Sequence, residues 1–387
     1  MKKKIAIIGS TGSIGKTLLN ILNKEKRNFE IILLTANKSN KILLKQAKTF
    51  NVKNLILTNK KNFELLKKET KSTNIKVFND FTQLNKIFKK KIDYIMSSIS
   101  GIDGLYPTLK VIKFTKKIAI ANKESIICGW NLIENELKKN KTEFIPVDSE
   151  HFSIWYGLQN LKKNELEKVF LTASGGPFYK TPLNKFKNIK VSDALNHPNW
   201  KMGKKISTDS ATMINKVYEV MEARKVFDVD YNKIKVLIHP KSYVHAILKF
   251  KNGLTNVIAH DTTMKVPIFN TIFLDSDRKL ETNKINTNIL NNMNLNNIDP
   301  KRFPMIKLLN FLPNNSSLFE TVIVAANDRL VELFLNNKIK FTEIQKNLFK
   351  IIKKEEFQKF KKKLPSNIKD ITNLNDYVRL KIEENNI

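Results

Sequence analysis

Short apolar runs alternate with amphipathic stretches along the first 147 residues. The runs predict β-strands at Ile5–Ile8, Glu30–Thr35, Asn54–Leu57, Tyr94–Ser97, Lys117–Ala121 and Glu143–Val147. Between them, stretches such as Lys16–Asn23 and Lys41–Phe50 place their apolar residues on one helical face. Alternating strands and helices are typical of βαβ units. Residues 1–147 are therefore predicted to form an α/β domain around a doubly wound parallel sheet.

The composition changes after residue 147. Residues 148–280 are denser in Gly, Pro, Ser and His, which are common in loops that carry function, and we expect a central α+β catalytic domain there. Eight of the 15 residues from Asn283 to Asn297 are Asn. Such a segment buries little surface, so residues 281–300 are predicted to be a linker.

Residues 301–387 show helical periodicity. Ser317–Glu320 and Thr342–Gln345 both fit the capping box, in which the first side chain caps N–H groups and the fourth reaches back. After the second box, apolar residues repeat on one helical face at Ile344, Leu348, Ile351 and Ile352. This segment is predicted to be a small helical bundle without catalytic residues.

The formal charge of +33 at pH 7 makes a nucleic-acid binder the main alternative from another functional class. However, the 69 Lys and Arg residues are spread over the whole chain, and no zinc-finger, helix-turn-helix or aromatic–basic motif accompanies them. A bias in residue usage is the favoured explanation, and the basic surface would attract anionic substrates. We therefore expect no nucleic-acid partner.

The distribution of apolar residues and cysteine bears on the compartment. No apolar run approaches the ~20 residues that a membrane span needs, so no membrane association is expected. The run Ile5–Ile8 meets glycines at once and is predicted to be a strand, not the core of a signal peptide. A single cysteine, Cys128, excludes an intramolecular disulfide and fits a reducing compartment. We expect a cytoplasmic protein.

A glycine-rich loop, Gly9–Gly15, follows the first predicted strand and precedes a helix. Glycines there let the backbone approach a pyrophosphate, and the helix N-terminus offers free N–H groups. The spacing is GxxGxxG, and a tight turn without a ligand is the alternative. Ala36, Asn37 and Lys38 follow the second strand, with no acid to bind a ribose 2′-hydroxyl, which favours NADP over NAD. The alternative is that Lys38 and Lys41 are solvated surface lysines. The context predicts a Rossmann-like nucleotide-binding domain.

Carboxylates occur at two places in the central segment. Asp148 and Glu150 stand just past the last predicted strand and would share a face if the chain stayed extended. Glu219 lies much further on, inside an apolar helical pattern. Three carboxylates without a Cys/His cluster would suit a hard ion such as Mg²⁺ or Mn²⁺. From spacing alone, solvated surface acids are the favoured explanation.

Two hydroxyl-rich segments, Ala173–Phe178 and Ser207–Thr212, offer donors of the kind that bind a phosphate monoester. The second leads into Asn215 and Lys216, an amide and an ammonium. The alternative interpretation is that the hydroxyl groups of these segments only cap turns. His197–Gly203 combines a titratable group, an aromatic residue and flexible joints, so it is either a loop that closes over substrate or a surface turn.

Together these segments resemble the 1-deoxy-D-xylulose 5-phosphate reductoisomerase family, which acts in the non-mevalonate isoprenoid pathway. The residues that carry the resemblance are Gly9–Gly15 (GSTGSIG), Ala121–Ser125 (ANKES), Pro146–His151 (PVDSEH), Ala173–Phe178 (ASGGPF), His197–Ser207 (HPNWKMGKKIS), Asp209–Lys216 (DSATMINK) and Ile238–Ser242 (IHPKS). They span roughly residues 5 to 245, and the general layout extends the likeness to the C-terminus.

The resemblance implies roles for individual residues. The implied metal ligands are Asp148, Glu150 and Glu219. The implied substrate contacts are Lys123, Ser149, Glu150, Ser174, His197, Ser210, Asn215, Lys216 and Glu219. The implied cofactor contacts are Thr11, Gly12, Ser13, Ile14, Ala36, Asn37, Lys38, Asn122, Glu124 and Gly203. The implied catalytic residues are Lys123, Glu150 and His197. The implied closing flap carries Trp200 and Met202.

The implied reaction converts 1-deoxy-D-xylulose 5-phosphate in two stages. A divalent ion (Mg²⁺ or Mn²⁺, with Co²⁺ a further candidate) would stabilise charge while the carbon skeleton rearranges by retro-aldol and aldol steps. NADPH would then reduce the branched aldehyde to 2-C-methyl-D-erythritol 4-phosphate. The family also implies a homodimer. The chain departs from the family pattern at Ala36–Lys38, Thr263–Lys265 and Ala326–Asp328. A paralogous NADP-dependent dehydrogenase of a related sugar phosphate is the alternative.

Overall fold

The computed structural model describes residues 1–159, 161, 165–274 and 276–384. The chain divides into two compact units. The first consists of Met1–Ser125, Leu132–Phe152 and Met264–Glu281. The second consists of Ile126–Asn131, Ser153–Thr263 and Thr282–Ile387.

The strands of the described chain are β1 (Lys3–Ile8), β2 (Phe29–Ala36), β3 (Asn54–Leu57), β4 (Lys76–Phe78), β5 (Ile92–Ser97), β6 (Thr115–Ile120), β7 (Glu143–Pro146), β8 (Leu166–Ala173), β9 (Ile234–Ile238), β10 (Val244–Phe250), β11 (Thr255–Ala259) and β12 (Asn296–Asn297).

Its α-helices are α1 (Ser13–Asn23), α2 (Asn40–Phe50), α3 (Lys60–Glu69), α4 (Leu84–Ile87), α5 (Leu105–Ile112), α6 (Lys123–Asn140), α7 (Ser149–Gly157), α8 (Val191–Leu195), α9 (Lys204–Thr212), α10 (Ile214–Phe227), α11 (Lys265–Phe273), α12 (Thr287–Asn291), α13 (Phe319–Leu335), α14 (Phe341–Ile352), α15 (Glu355–Gln358) and α16 (Ile368–Glu384). Its 3₁₀ helices are Lys26–Asn28, Ile102–Gly104, Leu183–Asn188, Tyr231–Lys233, Pro304–Phe311 and Lys359–Lys362.

The first unit is built on a parallel sheet of seven described strands in the order β4-β3-β2-β1-β5-β6-β7. The strand order reverses between β1 and β5. Ligands of doubly wound sheets bind beyond the carboxyl ends of the strands at such a reversal. The predicted α/β class and parallel sheet are confirmed. The sequence analysis missed β4, a three-residue strand at the edge of the sheet.

The core of this sheet follows from its apolar runs. Residues 5–8 of β1 are fully buried. A parallel strand covered on both faces is apolar throughout, which is why Ile5–Ile8 reads as one unbroken run. Burying each such isoleucine side chain contributes roughly 1.5–3 kcal/mol. This burial fixes the loop that follows β1 at the centre of the sheet.

A segment distant in sequence completes the first unit. Helix α11 packs against α1, and the Tyr94 hydroxyl hydrogen-bonds Thr271 at 2.7 Å in the buried interior. The Phe29 ring meets Phe273 edge-on, with centroids 5.7 Å apart. The sequence patterns did not predict that α11 packs in the first unit, because they assigned all of residues 148–280 to one central domain.

The second unit contains a mixed sheet in the order β11-β10-β8-β9-β12, in which β8 and β9 are parallel and the other neighbours antiparallel. Its core includes Leu171 of β8, Leu248 of β10 and Val220 of α10. The Asn-rich segment contains α12 and β12, and β12 pairs with β9. The sheet anchors α10 and the loop that follows β8.

The C-terminal part of the second unit is helical, as predicted. Helix α13 packs against α9, α14 and α16. At its start, the Glu320 carboxylate accepts from the Ser317 backbone N–H at 3.0 Å, as the first capping box predicts. The second predicted box is wrong, because the N-cap of α14 is Lys340, two residues before Thr342, and Glu343 accepts from the Lys340 N–H at 2.7 Å.

Over the residues that the structure describes, none of the helices combines the length and the apolar character needed to cross a membrane.

Candidate active site

The loop between β1 and α1 in the first unit depends on glycine. Gly9 has φ +90°, and a Cβ added there would lie 3.0 Å from the Ser98 backbone. A Cβ at Gly15 would lie 2.5 Å from the Ser10 Cα. Gly12 precedes α1 without a side-chain cap, and the first turn holds no acid. Residues Thr11–Ile14 are exposed or half-buried. The start of α1 can therefore accept an anion on its backbone N–H groups.

The other predicted cofactor residues of the first unit lie at strand ends. Ala36 is the buried last residue of β2, and Asn37 and Lys38 follow it with exposed side chains. Asn122 is buried and caps α6, because its side chain accepts from the Ser125 N–H at 2.9 Å. Its amide nitrogen also donates to the Gly101 carbonyl at 2.7 Å. Asn122 thus holds two loops together.

The acids Asp148 and Glu150 flank the start of a helix. β7 ends at Pro146 and α7 begins at Ser149. The Asp148 carbonyl accepts from the Phe152 N–H at 2.7 Å, which is a helical contact. The expectation that both acids share one face of an extended strand is therefore wrong. The Ser149 hydroxyl instead donates to the Glu150 carboxylate at 2.5 Å.

Asp148 is tied to a predicted catalytic residue in the same unit. The Lys123 ammonium, on a side chain that is 8% exposed, lies 2.9 Å from Asp148 Oδ2. The His151 ring nitrogen Nδ1 lies 3.7 Å from Oδ1. Burial alone would raise the pKa of the Asp148 carboxyl, but Lys123 and His151 outweigh burial and hold this pKa well below its usual range. Asp148 is therefore an anion at neutral pH.

Ser174 and His197 meet in the second unit. Ser174 follows β8 and precedes Gly175 and Gly176, whose φ values of +84° and +64° favour glycine. The Ser174 hydroxyl lies 3.1 Å from His197 Nε2 and accepts from the Gly176 N–H at 3.0 Å. The family resemblance implies that both residues contact the substrate, and the fold brings their side chains together across 23 positions.

The contacts of the His197 ring determine its tautomer. Nδ1 accepts from the backbone N–H groups of Asn199 at 3.2 Å and Trp200 at 3.0 Å. A nitrogen that accepts carries no proton, so the proton of the neutral ring is on Nε2 and is donated to Ser174. Burial lowers the pKa of His197 to about 4. With both acceptor positions of Ser174 engaged, its own O–H remains to donate to a ligand.

Ser210 and the pair Asn215–Lys216 lie on either side of a sharp corner. Met213 joins α9 to α10 with φ +70°, in the left-handed region. A Cβ on Gly176 would lie 3.0 Å from the Ser210 carbonyl oxygen, so the Ser174 loop approaches α9 closely. A non-glycine residue in this conformation costs roughly 1–3 kcal/mol and is typical of functional sites. The corner brings the predicted phosphate donors of the second unit into one region.

Helix α10 also carries Glu219, which follows Lys216 by three positions and Asn215 by four, about one helical turn further along. The Glu219 carboxylate accepts from the Asn215 amide at 2.6 Å through Oε1 and from the Lys216 ammonium through Oε2. The side chains of Lys216 and Glu219 are 5% and 2% exposed. The predicted metal ligand of the second unit is thus bonded to two predicted phosphate ligands.

Comparison with known proteins decides the family. Models described as 1-deoxy-D-xylulose 5-phosphate reductoisomerase, its C-terminal domain, and DXP reductoisomerase C-terminal domain match residues 5–129, 144–227 and 261–381. The reductoisomerase of Pelagibacter ubique (strain HTCC1062) is 60% identical over 382 residues, covering 98% of each chain. That of Sulfurihydrogenibium sp. (strain YO3AOP1) is 35% identical over 92% of each chain. The chain belongs to the 1-deoxy-D-xylulose 5-phosphate reductoisomerase family.

Solved reductoisomerase structures share the fold. The enzyme from Zymomonas mobilis in complex with NADPH is 27% identical, covers 100% of this chain and 99% of its own, and superimposes with a TM-score of 0.87. A DOX-P reductoisomerase in complex with NADPH, fosmidomycin and magnesium is also 27% identical, covers 99% and 98%, and has a TM-score of 0.89. The predicted fold class is confirmed over essentially the whole chain.

Two polar residues in the motifs that carry the resemblance, Asp209 and Asn199, have structural contacts that were not predicted from the sequence. Buried Asp209, next to Ser210, accepts from the Asn327 amide at 2.8 Å and lies 2.9 Å from the Lys205 ammonium. The Asn199 amide, inside the predicted flap, donates to the Pro240 carbonyl at 2.7 Å. Both residues lie in segments that carry the resemblance, but their partners are remote in sequence. Asp209 holds α9 against α13, and Asn199 ties the flap to the loop after β9.

The His197 ring is expected to stay neutral, with its proton on Nε2, at about pH 5.5. An ordinary histidine titrates near ~6.5, whereas burial lowers the pKa of this ring to about 4. The free energy of unfolding should therefore decrease as the pH falls from about 6.5 to about 4, because the unfolded chain binds the proton first. Nitrogen-15 chemical shifts of the ring would measure both tautomer and charge.

The chain has five histidines, so the ring signal that is missing from the spectrum of the His197→Asn variant can be assigned to His197. A protonated ring at that pH, or a proton on Nδ1, would contradict the assignment of the hydrogen bonds.

Proposed function

We propose that this chain isomerises 1-deoxy-D-xylulose 5-phosphate and reduces the product with NADPH to give 2-C-methyl-D-erythritol 4-phosphate. The observation that carries the proposal is the 60% identity to a reductoisomerase over 98% of both chains. The sugar-phosphate class is further supported by serine, amide and ammonium donors around the α9–α10 corner. Residues 1–147 would bind the cofactor and residues 148–280 the substrate, with 281–300 as linker and 301–387 as helical support.

The first unit has the donor set that NADPH requires. The uncapped start of α1 beside Gly9 and Gly12 suits a pyrophosphate. No acid follows β2, and the exposed Lys38 can meet a 2′-phosphate. NADPH, when bound, supplies the hydride. Two further residues are proposed to contact the cofactor: Gly203, the N-cap of α9 in the second unit, and Glu124, in the first turn of α6.

Three carboxylates, Asp148, Glu150 and Glu219, have the chemistry that a divalent ion requires. Asp148 is an anion at neutral pH, and Glu150 adds a second carboxylate one residue into α7. Glu219 is the third proposed ligand. An oxygen-only set is the choice of Mg²⁺ or Mn²⁺, with Co²⁺ a further candidate. Such an ion supplies Lewis-acid stabilisation of charge on the substrate.

The remaining side chains position the substrate in this proposal. Ser174 donates its free O–H to the phosphate, with its oxygen held by His197 and Gly176. Ser210, Asn215 and the buried ammonium of Lys216 complete the phosphate site. In the first unit, Lys123 and Ser149 contact the carbon chain near Asp148. Trp200 and Met202, both half-buried, would exclude water as the flap closes.

The decisive experiment follows NADPH oxidation with 1-deoxy-D-xylulose 5-phosphate, with and without Mg²⁺ or Mn²⁺, and identifies the product by mass and NMR. Metal-dependent formation of the branched polyol phosphate is expected. Reduction without added metal and without change of the carbon skeleton would favour the paralogous dehydrogenase.

The cofactor assignment predicts a preference for NADPH over NADH that depends on Lys38. Lys38→Glu is expected to lower the ratio of kcat/KM for NADPH to kcat/KM for NADH. The reason is that a carboxylate repels the 2′-phosphate and can bind a ribose hydroxyl. Steady-state kinetics with both cofactors measure this ratio. Lys48→Glu makes the same charge change at an exposed site further along α2 and should leave the ratio unaltered. Equal use of both cofactors by the wild type would refute the assignment.

We also propose that the protein is a homodimer in the cytoplasm. Strand β11 is at one edge of the described sheet, and its Val257 and the preceding Leu254 are 45% and 64% exposed. Exposed apolar side chains along an edge strand favour pairing with a second copy. Sedimentation equilibrium distinguishes dimer from monomer. The single cysteine, Cys128, is buried and free, which agrees with a reducing compartment.

A further inference from the structure

The Glu219 carboxylate uses both of its oxygens on its own helix. Oε1 accepts from the Asn215 amide at 2.6 Å, and Oε2 accepts from the Lys216 ammonium. The spacings are i,i+4 and i,i+3, so all three side chains lie on one face of α10. Because Lys216 and Glu219 are almost fully buried, their attraction is little weakened by solvent. The two donors are therefore held by a strong local acceptor.

The same arrangement occurs in the first unit with different residues. The Lys123 ammonium is 2.9 Å from Asp148 Oδ2, and its side chain is 8% exposed. In both units, then, a lysine proposed to contact substrate is bonded to a carboxylate proposed to bind metal. In the first unit the pair joins the start of α6 to the residue before α7, so such a pairing does not depend on the geometry of a single helical turn.

A phosphate and Glu219 compete for the same donors. The ammonium and the amide can each turn either to the carboxylate or to a phosphate oxygen, and both acceptors carry negative charge. A dication and an ammonium at the same buried carboxylate repel one another, so an ion that engages Glu219 weakens its hold on Lys216. Whatever occupies Glu219 thus alters how strongly Asn215 and Lys216 can bind phosphate.

We propose that Glu219 is a clamp that restrains Asn215 and Lys216 and so couples divalent-metal binding to phosphate binding. This inference rests on the proposed function for the roles of the three residues. Engagement of Glu219 by a divalent ion releases the two donors, and the phosphate group of the substrate then binds more tightly. The coupling is reciprocal, since phosphate that draws Lys216 away leaves Glu219 available to the ion.

The test is the affinity of the full-length chain for inorganic phosphate, measured by phosphorus-31 NMR titration without NADPH or Mg²⁺ at constant ionic strength. Glu219→Gln is expected to tighten binding by about tenfold, since a neutral amide holds the ammonium less strongly than a carboxylate. Glu219→Asp keeps the charge but shortens the side chain by one methylene, and it should also tighten binding. Adding Mg²⁺ to the wild type should tighten it similarly.

Lys216→Ala separates the clamp from simple charge repulsion. If Glu219 acts through Lys216, Glu219→Gln changes phosphate affinity much less in the Lys216→Ala background than in the wild type. An equal change in both backgrounds, weaker phosphate binding in Glu219→Gln, or no phosphate binding by any form would each overturn the clamp. Circular dichroism of every variant establishes that it is folded. Should Glu219→Gln fail to fold, Glu219→Asp and the Mg²⁺ titration of the wild type decide the question.

The outcome is independent of the reaction. Turnover of 1-deoxy-D-xylulose 5-phosphate without the predicted pattern of phosphate affinities would overturn the clamp and leave the proposed function intact. The predicted pattern without turnover would support the clamp and contradict the proposed function.

Discussion

Replacing Glu219 with Gln is expected to lower kcat by about three orders of magnitude, equivalent to ~4 kcal/mol of transition-state stabilisation. The substitution keeps the shape of the side chain but removes the negative charge of the third proposed metal ligand. Metal affinity should fall, because the site is left with Asp148 and Glu150. Affinity for NADPH should not change, since Glu219 is not among the proposed cofactor contacts. Steady-state kinetics over a range of Mg²⁺ concentrations and direct NADPH titration measure both effects.

A matched control exists on the same helix. Asp228 terminates α10 and pairs with Arg224 at 2.8 Å, with a side chain that is 85% exposed. Asp228→Asn makes the same change in net charge and should retain the kcat and the metal dependence of the wild type. Full metal-dependent turnover by Glu219→Gln would show that Glu219 is not a ligand, and the metal site would then have to be assigned to other residues.

Replacing Lys216 with Ala is expected to raise KM for 1-deoxy-D-xylulose 5-phosphate by one to two orders of magnitude. A buried charge-assisted contact contributes roughly 1.5–3 kcal/mol, and each 1.4 kcal/mol is about tenfold in affinity. Lys216 is buried at the first turn of α10, where its ammonium is the one charged donor among the proposed phosphate ligands Ser174, Ser210 and Asn215. Initial rates at saturating NADPH and metal give KM and kcat separately.

The control for this experiment is Lys235→Ala, which removes an exposed lysine from β9 of the same unit. It tests whether the general basic charge of the chain, +33, contributes to substrate capture. An unchanged KM in Lys216→Ala would show that the ammonium does not reach the phosphate. Because the substitution also leaves Glu219 without one of its partners, thermal unfolding should accompany the kinetics, so that a loss of stability is not mistaken for a loss of binding.

Local elements were predictable because their signals are local. The strand predicted at Asn54–Leu57 agrees with the structure at both ends, and Ile5–Ile8 and Tyr94–Ser97 differ from β1 and β5 only at their starts. The buried face of α14 was foreseen from the spacing of Ile344, Leu348 and Ile351. A two-residue or 3.6-residue period is set by the backbone itself, so it appears in the sequence wherever one face is buried.

Two of the failures occurred where a neighbouring element decides the outcome. The third was local, because the Phe152 N–H donates to the Asp148 carbonyl and begins a helix where an extended strand was considered. β4 is short because it lies at the sheet edge, and only pairing with β3 defines it. Helix α11 belongs to the first unit because it packs on α1, although its sequence neighbours belong to the second. Neither the pairing of β4 nor the packing of α11 has a local signature.

For this protein, the sequence by itself determined the α/β class, the glycine loop after β1, the absence of an acid after β2, and the kinds of donor available for a phosphate and a metal. These follow from residue type and short spacing. Only the tertiary structure decided which groups meet: Ser174 with His197, Lys123 with Asp148, and Asp209 with Asn327 across 118 positions. The physical reason is that such contacts depend on the packing of whole elements, and the entropy lost in closing a long loop is repaid only when many contacts form together.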